Sequence, residues 1–209
     1  MDERVTTLPS AVLSTLQDWH FEIDFEGIAW AILDRAGESQ NALSRRVLEE
    51  LGEIIATVET EAAAKRVRGL VLISGKPTGF IVGADIREFD DFKTEKAVAD
   101  AITQVTALLD RIEALPVTTV AAIHGYCLGG GLELAAACQY RIATRDDTTR
   151  IGFPEIKLGI FPGFNGTARS IRQAGAVAAM QNMLTGSMIR ASAARALGYI
   201  DELVPKPSN

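Results

Sequence analysis

The sequence predicts an α/β fold in a single domain. Short, continuous apolar segments of the kind that form buried parallel strands alternate with longer segments whose apolar residues recur at helical spacing. This alternation is typical of strand–helix–strand crossover connections. The 209 residues are enough to bury one sizeable core, and no internal repeat, low-complexity tract or linker divides the chain.

The first predicted element is a β-hairpin. Residues 1–19 lack strong periodicity and are predicted to form an N-terminal extension, so the folded domain is assigned to residues 20–209. The segment HFEIDFEGIAWAILDR alternates polar and apolar residues on either side of Glu26-Gly27. A glycine-containing turn between two alternating runs predicts two antiparallel strands.

A helix, a buried strand and a loop are predicted next. Either Asn41 or Ser44 is suited to cap the helix, whose apolar residues recur at helical spacing. These residues are Leu43, Val47, Leu48, Leu51, Ile54, Ile55 and Val58. VRGLVLISG then predicts a buried parallel strand, and FIVGADIREFDDF predicts a loop around Gly83.

The second half of the chain continues the alternation. A second amphipathic helix ends before Pro116, and its apolar positions are Val98, Ile102, Val105, Leu108, Leu109 and Ile112. VTTVAAIHG and YRIATR predict two further strands on either side of a glycine-rich segment. Residues 162–204 are predicted to form short helices that are interrupted at Gly175, Gly186 and Gly198.

Composition excludes several classes of protein. Lys and Arg total 21 against 27 for Asp and Glu, giving a net charge of -6 without a basic stripe, which argues against a nucleic-acid partner. No apolar run approaches the ~20 residues of a membrane span, and MDERVTTLPS lacks the pattern of a signal peptide. Cys127 and Cys138 lie in apolar surroundings and predict reduced, buried thiols in a cytoplasmic protein. With only His20 and His124 besides, no metal site is expected.

The segment HGYCLGGGLELAAAC places three glycines, Gly129 to Gly131, between a predicted strand and a predicted helix. Backbone N–H groups at a helix N-terminus are unpaired and carry partial positive charge, so an anion is favoured there. Neither the P-loop pattern nor the dinucleotide fingerprint is present. The alternatives are a tight turn or an oxyanion hole, for which Ala84 in VGAD would supply a second N–H donor.

Two acids stand near glycine-rich segments. Glu133 follows the triplet, and either a favourable helix-dipole contact or an acid–base role would explain it. Glu155 follows Pro154, and either a surface pair with Lys157 or an acid–base role would explain it. Two carboxyls beside one water divide the work of base and acid only if their environments separate their pKa values.

Four segments together resemble the crotonase, or enoyl-CoA hydratase/isomerase, family, in the family's order and spacing. They are FIVGADIREF, VAAIHGYCLGGGLELAAACQYRIAT, RIGFPEIKLGIFPGFNGT and LTGSMIRASAARALGYIDELV. The resemblance runs from about His20 to Val204 and is greatest to the N-terminal hydratase domain of bacterial fatty-acid oxidation α-subunits. It implies a crotonase-like spiral of repeated ββα units.

The resemblance also implies roles for individual residues. The backbone N–H groups of Ala84 and Gly130 would hold the thioester oxygen of an acyl-CoA. Glu133 would act as base toward water, and Glu155 would protonate the α-carbon of a trans-2-enoyl-CoA. The product would be a 3-hydroxyacyl-CoA, and isomerisation of 3-enoyl thioesters is a possible second activity. Substrate contacts are expected around these groups, at Gly83, Asp85, Ile86 and Gly129.

Further implications concern cofactors, partners and the extent of the domain. No metal or redox cofactor is expected, because coenzyme A is part of the substrate. A homo-oligomer, such as a trimer, or a complex with a thiolase β-subunit is implied. Crotonases continue for further helices past the position of Asn209, so we expect the domain to be truncated. Another crotonase reaction on an acyl-CoA and a non-catalytic acyl-CoA-binding or assembly fragment therefore stay open as alternatives. His124 is expected to be structural, and Asn165 stands where relatives often have glycine.

Overall fold

The computed structural model describes residues 16–206, which form ten strands and six α-helices. The strands are β1 (Trp19–Ile23), β2 (Ile28–Leu33), β3 (Gly69–Ser74), β4 (Gly79–Ile81), β5 (Thr118–Ile123), β6 (Tyr126–Leu128), β7 (Tyr140–Thr144), β8 (Arg150–Gly152), β9 (Met188–Arg190) and β10 (Glu202–Val204). The helices are α1 (Arg45–Ala63), α2 (Glu95–Glu113), α3 (Gly130–Ala137), α4 (Gly166–Ala174), α5 (Ala176–Thr185) and α6 (Ala191–Leu197). Two 3₁₀ helices span Ile86–Asp91 and Glu155–Leu158.

Six strands form the larger sheet, in the order β1-β2-β3-β5-β7-β10. β1 and β2 form the predicted antiparallel hairpin, with Trp19 opposite Leu33. The other pairs in this sheet are parallel. The apolar runs predicted as buried strands form its centre, where Leu70, Leu72 and Ala121 have no exposed surface.

The smaller sheet has the order β4-β6-β8-β9. After α1, the chain repeats one unit: a strand in the larger sheet, a three-residue strand in the smaller sheet, and a helical segment. β3-β4-α2 and β5-β6-α3 are two such units, and β7-β8 leads in the same way to the second 3₁₀ helix and α4. This arrangement confirms the expected spiral of ββα units.

The two long helices begin at the capping residues that their patterns require. The Ser44 side chain accepts a hydrogen bond from the Val47 N–H at the start of α1, and Thr94 does the same for Ala97 in α2. Of the two cap candidates for α1, Ser44 is therefore the one used. No helix within residues 16–206 is long and apolar enough to cross a membrane.

The N-terminal boundary differs from the prediction. Most of the extension assigned to residues 1–19 lies outside the described residues. The remainder belongs to the domain, because the buried Glu50 carboxylate accepts hydrogen bonds from the N–H groups of Gln17, Asp18 and Trp19. Trp19 also begins β1 and donates its indole N–H to the Val47 carbonyl.

Several short elements were not predicted. The loop expected around Gly83 contains β4 and a 3₁₀ helix, and the C-terminal region expected to be helical also contains β9 and β10. β6 and β8 were missed as well. Three-residue strands are too short to show alternation, and their pairing with distant strands cannot be seen in the local sequence.

Candidate active site

The glycine triplet joins β6 to α3 in a space that admits no side chain at two of its positions. Gly129 has φ = 51°, and a Cβ there would lie 2.6 Å from Oε1 of Glu155. A Cβ on Gly131 would lie 2.4 Å from the carbonyl oxygen of Ile81 in the neighbouring strand β4. The triplet therefore brings the start of the fully buried helix α3 against β4 and Glu155.

The backbone N–H groups of Ala84 and Gly130 lie near each other at this point. A Cβ on Gly130 would lie 3.4 Å from the nitrogen of Ala84, so the two peptide groups are close neighbours. Ala84 lies between two hydrogen bonds to Leu43, one from the Leu43 N–H to the Gly83 carbonyl and one from the Asp85 N–H to the Leu43 carbonyl. Within residues 16–206, neither the Ala84 nor the Gly130 N–H donates a hydrogen bond. The pair is thus free to bind an oxygen atom with partial negative charge.

Glu133 lies in the first turn of α3 and is 1% exposed. Its Oε1 accepts hydrogen bonds from the N–H groups of Phe164 (2.7 Å) and Gly166 (2.8 Å). The pKa of Glu133 is raised to about 7, mainly by burial. An ionised Glu155 acts in the same direction, whereas the two N–H groups and the Arg169 guanidinium oppose the shift. Such a carboxyl exchanges a proton near neutral pH.

Glu155 begins the second 3₁₀ helix and is buried beside Gly129. Its Oε2 is buried and has no hydrogen-bond partner among the described residues. Burial also raises the pKa of Glu155. An unpartnered carboxyl oxygen favours the neutral form, whereas the paired N–H donors on Glu133 favour its charged form. Burial thus shifts both carboxyls toward neutral pH, and the two differ in their hydrogen-bond donors: Glu133 has two, whereas Oε2 of Glu155 has none among the described residues.

The structure gives another task to the side chain of one residue expected at the substrate, Asp85. The carboxylate of Asp85 is buried and bound by the side chains of Arg35 and Arg87, which hold its pKa well below its usual range. Its side chain therefore fixes the loop that carries Ala84 and is not free to bind a ligand. Ile86 is 56% exposed and stays a candidate for apolar contact with a substrate, and Gly83 adjoins the free N–H of Ala84.

Phe164 and Gly166 are site residues that the sequence analysis missed. A Cβ on Gly166 would lie 2.6 Å from Oε1 of Glu133, so glycine is required for this contact. Asn165 between them has φ = 66°, in the left-handed region that asparagine tolerates better than most residues. The pair Asn165-Gly166 is a sequence feature typical of a turn, but its contact with Glu133 is not visible in the sequence.

His124 and Asn41 have structural roles. Nε2 of His124 lies 2.7 Å from the Lys76 carbonyl oxygen, as expected for a structural histidine. The Asn41 amide donates to the carbonyls of Leu33 and Phe80 and to the hydroxyl of Ser74, so it connects the larger sheet to β4.

Comparison with known proteins identifies a family over nearly the whole chain. A family model described as enoyl-CoA hydratase/isomerase matches residues 25–208. The chain is 41% identical over 182 residues to the fatty acid oxidation complex subunit alpha of Aliivibrio fischeri, covering 87% of this chain and 26% of that protein. It is 39% identical over 194 residues to the corresponding protein of Vibrio campbellii, covering 93% of this chain and 27% of that protein. The chain thus spans about a quarter of the length of these curated relatives.

Solved structures show the same similarity. An enoyl-CoA hydratase from Bacillus anthracis superposes with a TM-score of 0.80 at 31% identity, covering 90% of this chain and 70% of that one. An enoyl-CoA hydratase from Thermoplasma volcanium superposes with a TM-score of 0.82 at 28% identity, covering 91% and 73%.

Proposed function

The chain belongs to the enoyl-CoA hydratase/isomerase family, and from that premise we propose that it adds water to a trans-2-enoyl-CoA to give a 3-hydroxyacyl-CoA. The observation that carries the proposal is the placement of two buried carboxyls, Glu133 and Glu155, beside the free N–H groups of Ala84 and Gly130. Hydration of a conjugated thioester needs both a proton acceptor and a proton donor near a carbonyl that gains negative charge.

The two N–H groups would hold the thioester oxygen. As water adds to the β-carbon, the electron pair of the double bond moves toward the carbonyl, and the oxygen acquires enolate character. Fixed backbone dipoles stabilise that charge without reorganising, and removal of one such donor typically costs ~10²–10³ in rate. Glycine at position 130 keeps the approach to its own N–H open, since a side chain there would meet Phe164 and Leu43.

The two carboxyls would divide the proton transfers. Ionised Glu133 removes a proton from water while the water oxygen bonds to the β-carbon. Protonated Glu155 gives its proton to the α-carbon, so that H and OH have been added in total. The two N–H donors on Glu133 and the unpartnered oxygen of Glu155 support this assignment of base and acid.

Isomerisation of 3-enoyl thioesters is a second candidate activity. It requires a group that moves a proton at the α-carbon, and the unpartnered Oε2 of Glu155 suits that task. We expect 3-enoyl-CoA to gain conjugated-thioester absorbance in the presence of the protein if this activity exists.

The acyl chain and the cellular role are proposed on separate grounds. Large apolar side chains stand exposed on the first 3₁₀ helix, on α2 and before α4, and these are Ile86, Phe89, Ile102 and Phe161. Such a surface suits an acyl chain.

The names of the relatives, subunits of a fatty acid oxidation complex, support a role in β-oxidation. Assembly as a trimer or with a thiolase subunit, and catalysis without a metal or redox cofactor, stay predictions.

The test follows the loss of conjugated-thioester absorbance with short- and long-chain trans-2-enoyl-CoA. We expect turnover by the parent and a fall of about 10²–10⁴-fold in kcat for Glu133→Gln and for Glu155→Gln. Glu49→Gln, an exposed change on α1, serves as the control and should match the parent. Binding of the thioester without turnover on any chain length would instead support a non-catalytic acyl-CoA-binding protein.

A further inference from the structure

A fully buried arginine contacts the loop that binds Glu133. Arg169 lies on α4, and its side chain has no exposed surface. Nη1 donates to the Phe164 carbonyl at 2.8 Å, while Nε and Nη2 bind the carboxylates of Glu113 and Asp110. A buried guanidinium is favourable only when its donors and its charge are both compensated, and each of its three nitrogens has a partner.

The Phe164 carbonyl has a particular position in the loop before α4. It belongs to the peptide bond between Phe164 and Asn165. The two peptide bonds on either side of it carry the Phe164 and Gly166 N–H groups that bind Oε1 of Glu133. Holding the middle peptide therefore restrains the two neighbouring peptides that carry the donors, since only the φ and ψ rotations at Phe164 and Asn165 separate them from it.

The other side of the guanidinium is held by α2. Asp110 and Glu113 lie at the end of this long helix, and their side chains are 58% and 41% exposed. Because both carboxylates are partly exposed, water can solvate them without Arg169. The two acids therefore do not need the ion pair with a completely buried arginine. The contacts instead connect a rigid helix to the loop that holds Glu133.

We propose that Arg169 is a positioning residue that orients Glu133 for proton transfer through the peptide bond between Phe164 and Asn165. This proposal rests on the proposed function for the role of Glu133, but the geometry of the loop does not depend on it. The charged groups that face Glu133 are Glu155 and Arg169, and those that face Arg169 are Asp110 and Glu113.

The experiment compares Arg169→Met, Arg169→Lys and Arg172→Met with the parent. Methionine fills a similar volume but donates no hydrogen bond, and lysine keeps the charge on a single donor. Arg172 is the matched control, because it lies on the same helix and binds Glu113, yet it is 60% exposed and makes no contact with the loop. The pKa of Glu133 is measured by ¹³C NMR of carboxyl-labelled glutamate, with Glu133→Gln used for assignment, and kcat and KM for trans-2-enoyl-CoA are measured on the same samples.

We expect Arg169→Met to raise the pKa of Glu133 and to lower kcat by about 10- to 100-fold with little change in KM, as for a misplaced catalytic group. Arg169→Lys should fall between Arg169→Met and the parent, and Arg172→Met should match the parent. A Glu133 pKa and a kcat that are the same in the Arg169 and Arg172 variants would overturn the proposal. If Arg169→Met does not fold, the lysine variant decides by the same two readouts. If the parent itself does not hydrate enoyl-CoA, the proposed function fails, whereas the NMR titration still tests the positioning role.

Discussion

Glu133 illustrates the conflict between stability and chemistry at a single residue. A carboxyl with a pKa near 7 in the folded protein and an ordinary value in the unfolded chain binds its proton more tightly when folded. Between about pH 4.5 and 7 the folded state therefore holds one more proton than the unfolded state, and the stability falls as the pH rises. By linkage this effect lowers the free energy of unfolding by up to about 3 kcal/mol above pH 7.

Replacing Glu133 with glutamine should therefore stabilise the protein at high pH while it lowers the proposed hydratase activity. The glutamine oxygen can still accept from the Phe164 and Gly166 N–H groups, and no buried charge remains. In urea denaturation we expect Glu133→Gln to be more stable than the parent by about 1–3 kcal/mol at pH 8 and nearly equal at pH 4.5. Glu49→Gln should show no such difference. Equal stability of Glu133→Gln and parent at pH 8 would mean that the buried carboxylate is compensated in the folded state.

Gly166 allows a second test at the residue scale. A methyl group there would lie 2.6 Å from both Cγ and Oε1 of Glu133, so Gly166→Ala must displace the carboxylate. We expect a fall in kcat of about 100-fold, measured in the same absorbance assay. Gly52→Ala is the matched control. Gly52 lies in the middle of helix α1, and a Cβ there would meet nothing within 4 Å. It should leave kcat unchanged and stabilise the protein by up to about 1 kcal/mol. Full activity of Gly166→Ala would show that Glu133 does not need this orientation.

Sequence reasoning selected Glu133 and Glu155 because an acid in an apolar, glycine-rich context stands out locally. It did not find Phe164, Gly166 or Arg169, whose relevance depends on contacts across long separations. The bonds from Phe164 and Gly166 to Glu133 span 31 and 33 residues. The sequence likewise did not show that two arginines bind the carboxylate of Asp85, and substrate contact at this position stays a prediction.

At the scale of elements, length decided what could be predicted. α1 and α2 each have 19 residues, enough for several turns of apolar periodicity, and their positions follow from the sequence. The sequence narrowed the cap of α1 to Asn41 or Ser44, and the structure shows that it is Ser44. β4, β6, β8, β9 and β10 have three residues each, and only pairing with other strands defines them. Gln17 and Asp18, just before β1, likewise belong to no sequence pattern, and a side chain of α1 holds them in place.

Glu50 is the side chain that holds this segment, and it permits a test of how α1 and β1 are joined. Its carboxylate accepts three backbone N–H groups in a buried setting, and an amide in its place would turn a donor toward at least one of them. We expect Glu50→Gln to lower the free energy of unfolding by about 1–3 kcal/mol in urea denaturation. Its exposed neighbour provides the control, since Glu49→Gln should change stability by less than about 0.5 kcal/mol. Similar results for both variants would show that the segment is held by other contacts.

At the scale of the whole molecule, the site exists only where successive turns of the spiral meet. Ala84 follows β4, Gly130 and Glu133 follow β6, and Glu155 follows β8, and these three strands are neighbours in the smaller sheet. The ends of adjacent parallel strands lie at one edge of a sheet, which is why segments far apart in sequence converge. The resemblance to a family predicted that these residues lie together in one site. Hydrophobic periodicity alone predicted only the alternation of strands and helices.

Because the proposed oxyanion site joins separate turns, a thioester bound there should stabilise the folded molecule as a whole. Butyryl-CoA has no double bond to hydrate, so it reports binding without turnover. At 100 times its Kd, we expect it to add about 2.7 kcal/mol to the free energy of unfolding, measured as a rise in Tm. Gly130→Val should lose most of this rise, because the side chain would stand beside the Ala84 nitrogen. Gly52→Val, on the surface of α1, should keep it. If free CoA raised the Tm as much as butyryl-CoA, or if Gly130→Val responded like the parent, the thioester oxygen would not bind between Ala84 and Gly130.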